Sequence, residues 1–233
     1  MLAPKVKDEP AARRPRGRPR KTIDERDEGN RRQALLTAAA RLFRRKGFDA
    51  TSTRDIAAAV GMHSGSPFYH FKSKNALLYA VMEEGMRSAA RRQGEAQLAG
   101  CGGNAGPRAD AAAVAAVAAQ PEAALRALIR VHFDILLGKG SDFIPVMLYE
   151  WRSLTARQRA GIAELTMAYE APWIPVLEAL QAAGQLRADV HLARLLILGA
   201  LNWSVQWFNP KKRASLDELT DAAMDLFVRG PSP

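Results

Sequence analysis

An all-α fold is predicted by three observations. Apolar residues recur at three- and four-residue spacing along most of the chain, helix start and stop residues punctuate those stretches, and no alternating strand pattern or hairpin dipeptide competes with them. At 233 residues, 48% apolar and 25% charged, the chain can bury a sizeable core in one large domain or two ordinary ones, and wholesale disorder is excluded.

Residues 1–30 lack apolar periodicity and are rich in Pro, Arg and acidic residues, so they read as a disordered basic arm. The first helix is expected from Arg31: Leu35, Leu36, Ala39, Leu42 and Phe43 form its stripe, and Gly47 stops it. Ser52 with Asp55 has the form of a capping box before a two-turn helix ended by Gly61. A small segment from Ser64 to His70 follows, and Ser73 is placed to cap a longer helix striped by Leu77, Leu78, Val81, Met82 and Met86. Five glycines between 94 and 107 predict a flexible loop there, and the Ala-rich run 110–119 reads as helix. Further helices are expected from Pro121 to Gly138, from Ser141 to about Ser153, from Ala156 to Ala183 with an interruption at Pro172 and Pro175, from Ala188 to Phe208, and from the Ser215/Glu218 capping box to Gly230.

Charge divides the chain. Residues 1–75 hold 18 Lys/Arg against 8 Asp/Glu, and residues 76–233 hold 16 of each, so the whole net charge of +10 is N-terminal. A basic end on a neutral body is the footprint of one part meeting a polyanion while the rest does something else. A helix–turn–helix plan at that end would lay its second element in the major groove, where the small residues Ser64, Gly65 and Ser66 permit close approach and Tyr69, His70, Lys72 and Lys74 supply phosphate donors. Taken singly, Tyr69 and His70 also fit ordinary packing on a generic helix.

The stretch from Gly47 through Thr53-Arg54-Asp55-Ile56-Ala57, with Gly61-Met62 and Gly65-Ser66-Pro67-Phe68-Tyr69-His70-Phe71-Lys72-Ser73-Lys74, resembles the DNA-binding domain of the TetR family of bacterial transcriptional regulators. The resemblance implies base contacts at Arg54, Ser64, Gly65, Ser66 and Phe68, and phosphate contacts at Thr53, Tyr69, His70 and Lys74. Pro67 stands where that family usually has Leu, and Phe68 where Tyr is common. The run from Arg14 to Lys21 resembles an AT-hook, with Arg16, Gly17, Arg18, Pro19 and Arg20 as a minor-groove core; a solvated tail is the bland alternative. Domains are thus expected at 1–30 (arm), 31–76 (DNA-binding) and 77–233 (helical body).

The resemblance implies that the body dimerises and encloses a small-molecule effector. Phe133, Phe143, Met147, Trp151, Met167, Tyr169 and Trp173 are the expected effector-lining residues, against the plainer reading that they are core. Leu195, Leu198, Gly199, Leu201, Trp203 and Trp207 are expected at the dimer interface, unless that helix is wrapped by its own subunit.

One cysteine, Cys101, excludes an internal disulfide scaffold, and the four histidines lack metal-ligand spacing, so no metal or cofactor is expected. Nor is there a nucleophile–base pair or phosphate loop, so no enzyme is expected. No secretory signal or membrane span is read, so a cytoplasmic location is expected, which the resemblance implies to be bacterial and on the nucleoid when the chain is bound to DNA. The partners expected are double-stranded DNA bearing a palindromic operator, a small apolar or amphipathic effector, and a second copy of the chain. The competing class is an architectural protein that coats AT-rich DNA without responding to an effector.

Overall fold

A computed structural model describes residues 23–63, 67–100, 119–138, 142–209 and 214–229, and all regular structure among them is helical. Helix α1 spans Ile23–Lys46, α2 Thr53–Ala59, α3 Pro67–His70 and α4 Lys74–Gly100. The body continues with α5 Pro121–Leu137, α6 Phe143–Glu150 running into a 3-10 turn Trp151–Ser153, α7 Ala156–Glu170, α8 Trp173–Ala182, α9 Val190–Trp203 with a 3-10 turn Ser204–Gln206, and α10 Leu216–Met224.

Local chemistry accounts for most of the ends. Gly47 and Gly61 follow α1 and α2 with φ of 83° and 68°, the left-handed region that Gly adopts without Cβ strain. Both expected capping boxes form: Ser52 Oγ accepts from the Asp55 amide while Asp55 accepts from the Ser52 amide, and Ser215 and Glu218 repeat the pattern. Thr155 and Gln158 make a third box beyond the two expected. Pro172 caps α8 after a break at Ala171, and Pro175 lies in the first turn, where its missing donor has no helical partner to lose.

Two expected boundaries need correction. Helix α1 begins at Ile23 rather than Arg31. Helix α4 continues through Gly94 to Gly100, in place of the expected loop; a lone Gly costs only about 1 kcal/mol against Ala, and Ala90, Glu95, Ala96 and Gln97 around it are good helix formers. The Ala-rich run 110–118 lies outside the described residues.

Two apolar clusters hold the fold. The first joins Leu35, Leu36, Phe43, Ile56 and Phe71 of the N-terminal head, through Leu77 and Leu78 of α4, to Ile144, Val146, Leu154 and Ile162 of the body, so the head is packed on α6 as well as tethered by α4. The second gathers Leu125, Phe133, Trp173, Leu177, Ile197, Leu201 and Met224 from α5, α8, α9 and α10. Helices α4 and α6 approach so closely at Gly85 that a Cβ there would sit 2.7 Å from the Phe143 Cβ.

Candidate nucleic-acid interface and effector core

In the head, α2 packs on α1 through Ile56 and Ala57, which are buried, and leaves Arg54 exposed in its first turn beside half-buried Thr53. The four-residue α3 opens on Pro67, a position whose N–H would be unsatisfied in any helix, so the departure from Leu costs no helical hydrogen bond. Phe68 lies within α3. Tyr69 is 95% exposed, Lys72 is exposed, and His70 is half-buried with its ring 6.4 Å from Phe71. An exposed phenol on a short second helix, beside an exposed Arg and Lys, is suited to phosphate oxygens at a groove edge. Ser64, Gly65 and Ser66, like Arg16, Gly17, Arg18, Pro19 and Arg20, lie outside the described residues.

Lys74 is used differently from expectation. Its Nζ donates to the carbonyls of Phe48 (2.9 Å), Asp49 (3.4 Å) and Thr51 (3.1 Å) and lies 4.2 Å from the centroid of the Phe48 ring. An ammonium has three donors, and all three are spent on the turn between α1 and α2. Its role here is to hold the head together, not to meet a phosphate. Lys74→Met is therefore expected to cost about 2 kcal/mol, since charge-assisted hydrogen bonds are lost from a partly buried site. Thermal unfolding should fall by roughly 4–8 °C. Arg54→Ala, by contrast, should weaken duplex binding with Tm almost unchanged. An unchanged Tm for Lys74→Met, together with a salt slope of DNA binding shallower by about one, would restore the phosphate role.

Inside the body a buried polar chain crosses five helices. Trp173 Nε1 on α8 donates to Gln93 Oε1 on α4 (3.0 Å), and Gln93 Nε2 donates to the Tyr169 carbonyl on α7 (2.8 Å). The Tyr169 hydroxyl lies 2.7 Å from His132 Nδ1 on α5, and His132 Nε2 lies 3.2 Å from Asn202 Oδ1 on α9. With Asn202 presenting its oxygen, Nε2 carries the proton and Nδ1 accepts from the phenol. The Trp173 indole meets the imidazole edge-on at 5.8 Å. Burial pushes the His132 pKa down to about 4, against the upward pull of Asn202, and burial pushes the Tyr169 phenol up. Both groups are thus neutral near pH 7, as a dry hydrogen-bonded chain requires. Sequence reasoning misses Gln93, His132 and Asn202, because a lone His on an apolar helix face carries no spacing signal.

The seven expected effector-lining residues do not form one group. Phe133 and Trp173 are buried in the second apolar cluster, Tyr169 is buried against the first, and Phe143 and Met147 pack on the first while half-buried. Met167 is 61% exposed and Trp151 is at the surface, so neither lines the interior. Two open depressions of about 440 and 630 Å3 on the outer side of α5 share Ala123 and Arg126, and none of the seven residues lines them.

On α9 the expected interface set divides by face. Leu198 and Leu201 are buried in the second cluster of their own subunit, where the helix period turns them toward α8 and α5; this corrects their assignment to the interface. Leu195, Gly199, Trp203 and Trp207 are exposed, and Leu192 and Leu196 join them. Leu196, Trp203 and Trp207 are 68%, 64% and 60% exposed, an apolar surface of a kind that marks an interaction site.

A trihelical head carried by a larger helical body has the plan of a helix–turn–helix DNA-binding regulator. Comparison with known proteins agrees with that class. The profile of the family described as "Bacterial regulatory proteins, tetR family" matches residues 35–81, and that described as "Tetracyclin repressor-like, C-terminal domain" matches residues 118–231. The HTH-type transcriptional repressor KstR2 of Rhodococcus jostii (strain RHA1) is 26% identical over 206 residues, which are 87% of this chain and 92% of KstR2. Among solved structures, the superantigen PfiT is 36% identical with a TM-score of 0.65, over 86% of this chain and 97% of PfiT. AibR in complex with isovaleryl coenzyme A and operator DNA is 26% identical with a TM-score of 0.69, over 85% of this chain and 98% of AibR. The chain belongs to the TetR family of bacterial transcriptional regulators. No helix among the described residues is long and apolar enough to cross a membrane.

Proposed function

We propose that the chain is a dimeric repressor that grips a palindromic operator and is released from it by a small apolar or amphipathic effector bound in the body. The observation that carries this reading is the exposed apolar face of α9, Leu192, Leu195, Leu196 and Trp203, continued by Trp207 just after the 3-10 turn, on a chain whose other end is a DNA-binding head. A second copy covering that face would pair two heads about a two-fold axis, which is the symmetry of a palindrome. Residues 1–22 serve as the arm, 23–76 as the head and 77–233 as the body in this reading. Thr53, Arg54, Phe68, Tyr69, His70 and Lys72 face DNA with Ser64, Gly65 and Ser66. Arg16, Gly17, Arg18, Pro19 and Arg20 enter the neighbouring minor groove.

The effector site is best sought around the polar chain, where Phe133, Tyr169 and Trp173 gather near His132 and Asn202, with Phe143 and Met147 on the adjoining α6. Apolar walls with a few fixed polar groups are what a small ligand needs. The isovaleryl coenzyme A held by AibR supports an acyl-bearing effector. Repression as the sign of regulation is supported by KstR2.

Selection of bound sites from a random duplex pool, with the full chain and with a form lacking residues 1–22, tests the reading. A palindrome retained by both, with a shallower salt slope for the shortened form, is expected. Enrichment of AT-rich DNA without a palindrome, lost on truncation, would favour an architectural protein instead.

A further inference from the structure

The turn that follows α1 fixes how α2, and through it α3, is presented. At that turn Gly47 N–H donates to the Phe43 carbonyl (2.8 Å), a left-handed helix ending that satisfies one carbonyl and leaves the next amide, Phe48 N–H, without a helix partner. A longer form of the same ending would turn that amide back onto the helix. Here it donates to Glu150 Oε1 at 2.9 Å, a side chain 102 residues away at the end of α6. The other carboxylate oxygen accepts from the Ser153 hydroxyl at 3.2 Å, which holds the carboxylate in place. Ser153 in turn accepts at its carbonyl from Asn75 Nδ2 on α4 (2.6 Å). At the opposite end of α6, Asp142 pairs with Arg44 in the last turn of α1 (2.9 Å).

We propose that Glu150 is a positioning residue for DNA binding: its carboxylate completes the cap of the first head helix, so that the geometry of the head depends on where α6 lies. Two grips meet at Phe48. Lys74 holds its carbonyl from α4, and Glu150 holds its amide from α6. A shift of α6 relative to α4 therefore pulls the two peptide groups of one residue apart. Phe143 and Met147 stand on the same helix, about two turns and one turn before Glu150, and Gly85 lets α4 touch α6 at Phe143. An effector pressing on those two side chains would act on the head through this bond. That last step rests on the effector reading above, whereas the positioning role of Glu150 does not.

The test compares the full-length chain with Glu150→Gln and Glu150→Ala. Amide hydrogen exchange at Phe48, read by NMR without DNA, needs no operator and so stands apart from the palindrome reading. Exchange at Phe48 is expected to quicken about tenfold or more in Glu150→Ala and by less in Glu150→Gln, whose side-chain carbonyl can still accept. Affinity for a duplex selected by the wild-type chain should fall about fivefold to tenfold in Glu150→Ala, with partial rescue in Glu150→Gln. Should Glu150→Ala fail to fold, Glu150→Gln carries both readouts. Exchange at Phe48 within twofold of wild type overturns the proposal. So does equal or tighter DNA binding by a variant that does show faster exchange, because loss of a carboxylate near a polyanion would then be the whole effect.

Discussion

Replacing Trp203 and Leu196 together by Glu is expected to turn the proposed dimer into a monomer and to abolish operator binding, with the fold of each chain intact. Both side chains are mostly exposed on α9, so the single chain loses no core packing. An indole buries about 150–250 Å2 at an interface. At roughly 25 cal/mol per Å2, each Trp203 is worth about 4–6 kcal/mol before ordering costs, and a two-fold interface counts it twice. A dimer dissociation constant at least ~1000-fold weaker should result, about 4 kcal/mol. Sedimentation equilibrium reads it directly. Leu201→Glu makes the contrast: it places a charge in the subunit's own buried cluster and should unfold the body instead.

Stability is expected to fall by on the order of 3 kcal/mol as pH drops from 6.5 to 4, owing to His132. Its folded pKa is pushed down to about 4 by burial, while the unfolded chain titrates near 6.5. Above pH 6.5 the imidazole is neutral in both states and the stabilisation is complete. Below it, the unfolded chain takes up a proton that the folded chain refuses, and unfolding becomes easier until pH 4 is reached. Asp55 and Glu218, lowered by the serine hydrogen bonds of their capping boxes, add acid sensitivity at lower pH, and Glu170, raised by burial against the pull of Arg194, opposes it. The share due to His132 is isolated by His132→Gln, which keeps a polar group between Tyr169 and Asn202 but does not titrate in this range. Denaturant unfolding across pH 4–7 should show a steep loss for wild type and a flatter line for the variant. Parallel lines would mean that the imidazole is not the group responsible.

Legibility in the sequence followed the range of each interaction. The caps at Ser52, Ser73 and Ser215, the stops at Gly47 and Gly61, and the break at Pro172 depend on neighbours within four residues, and each is formed as the sequence implies. The head was legible for the same reason, since its motif is a string of local signals. Contacts across long separations were not. Gln93 and His132 are linked through Tyr169, and His132 meets Asn202, each from a different helix, while Glu150 reaches Phe48 over 102 residues, with nothing in the spacing to announce a partner. On α9 the composition was right but the face was not: an apolar helix all round hides which side its own subunit buries, and only packing separated Leu198 and Leu201 from Leu196 and Trp203. Lys74 illustrates the reverse error, a cation at a phosphate-binding position of the motif whose donors the fold spends on carbonyls.

In the proposed function, two copies of this chain joined through α9 bring two heads to one palindrome. The mass of the complex formed on the selected duplex, measured at saturation by native mass spectrometry, tests it most directly. Two chains per palindrome are expected, with binding lost for the Trp203 and Leu196 double variant. A single chain bound to a site without two-fold symmetry, unaffected by that variant, would contradict it.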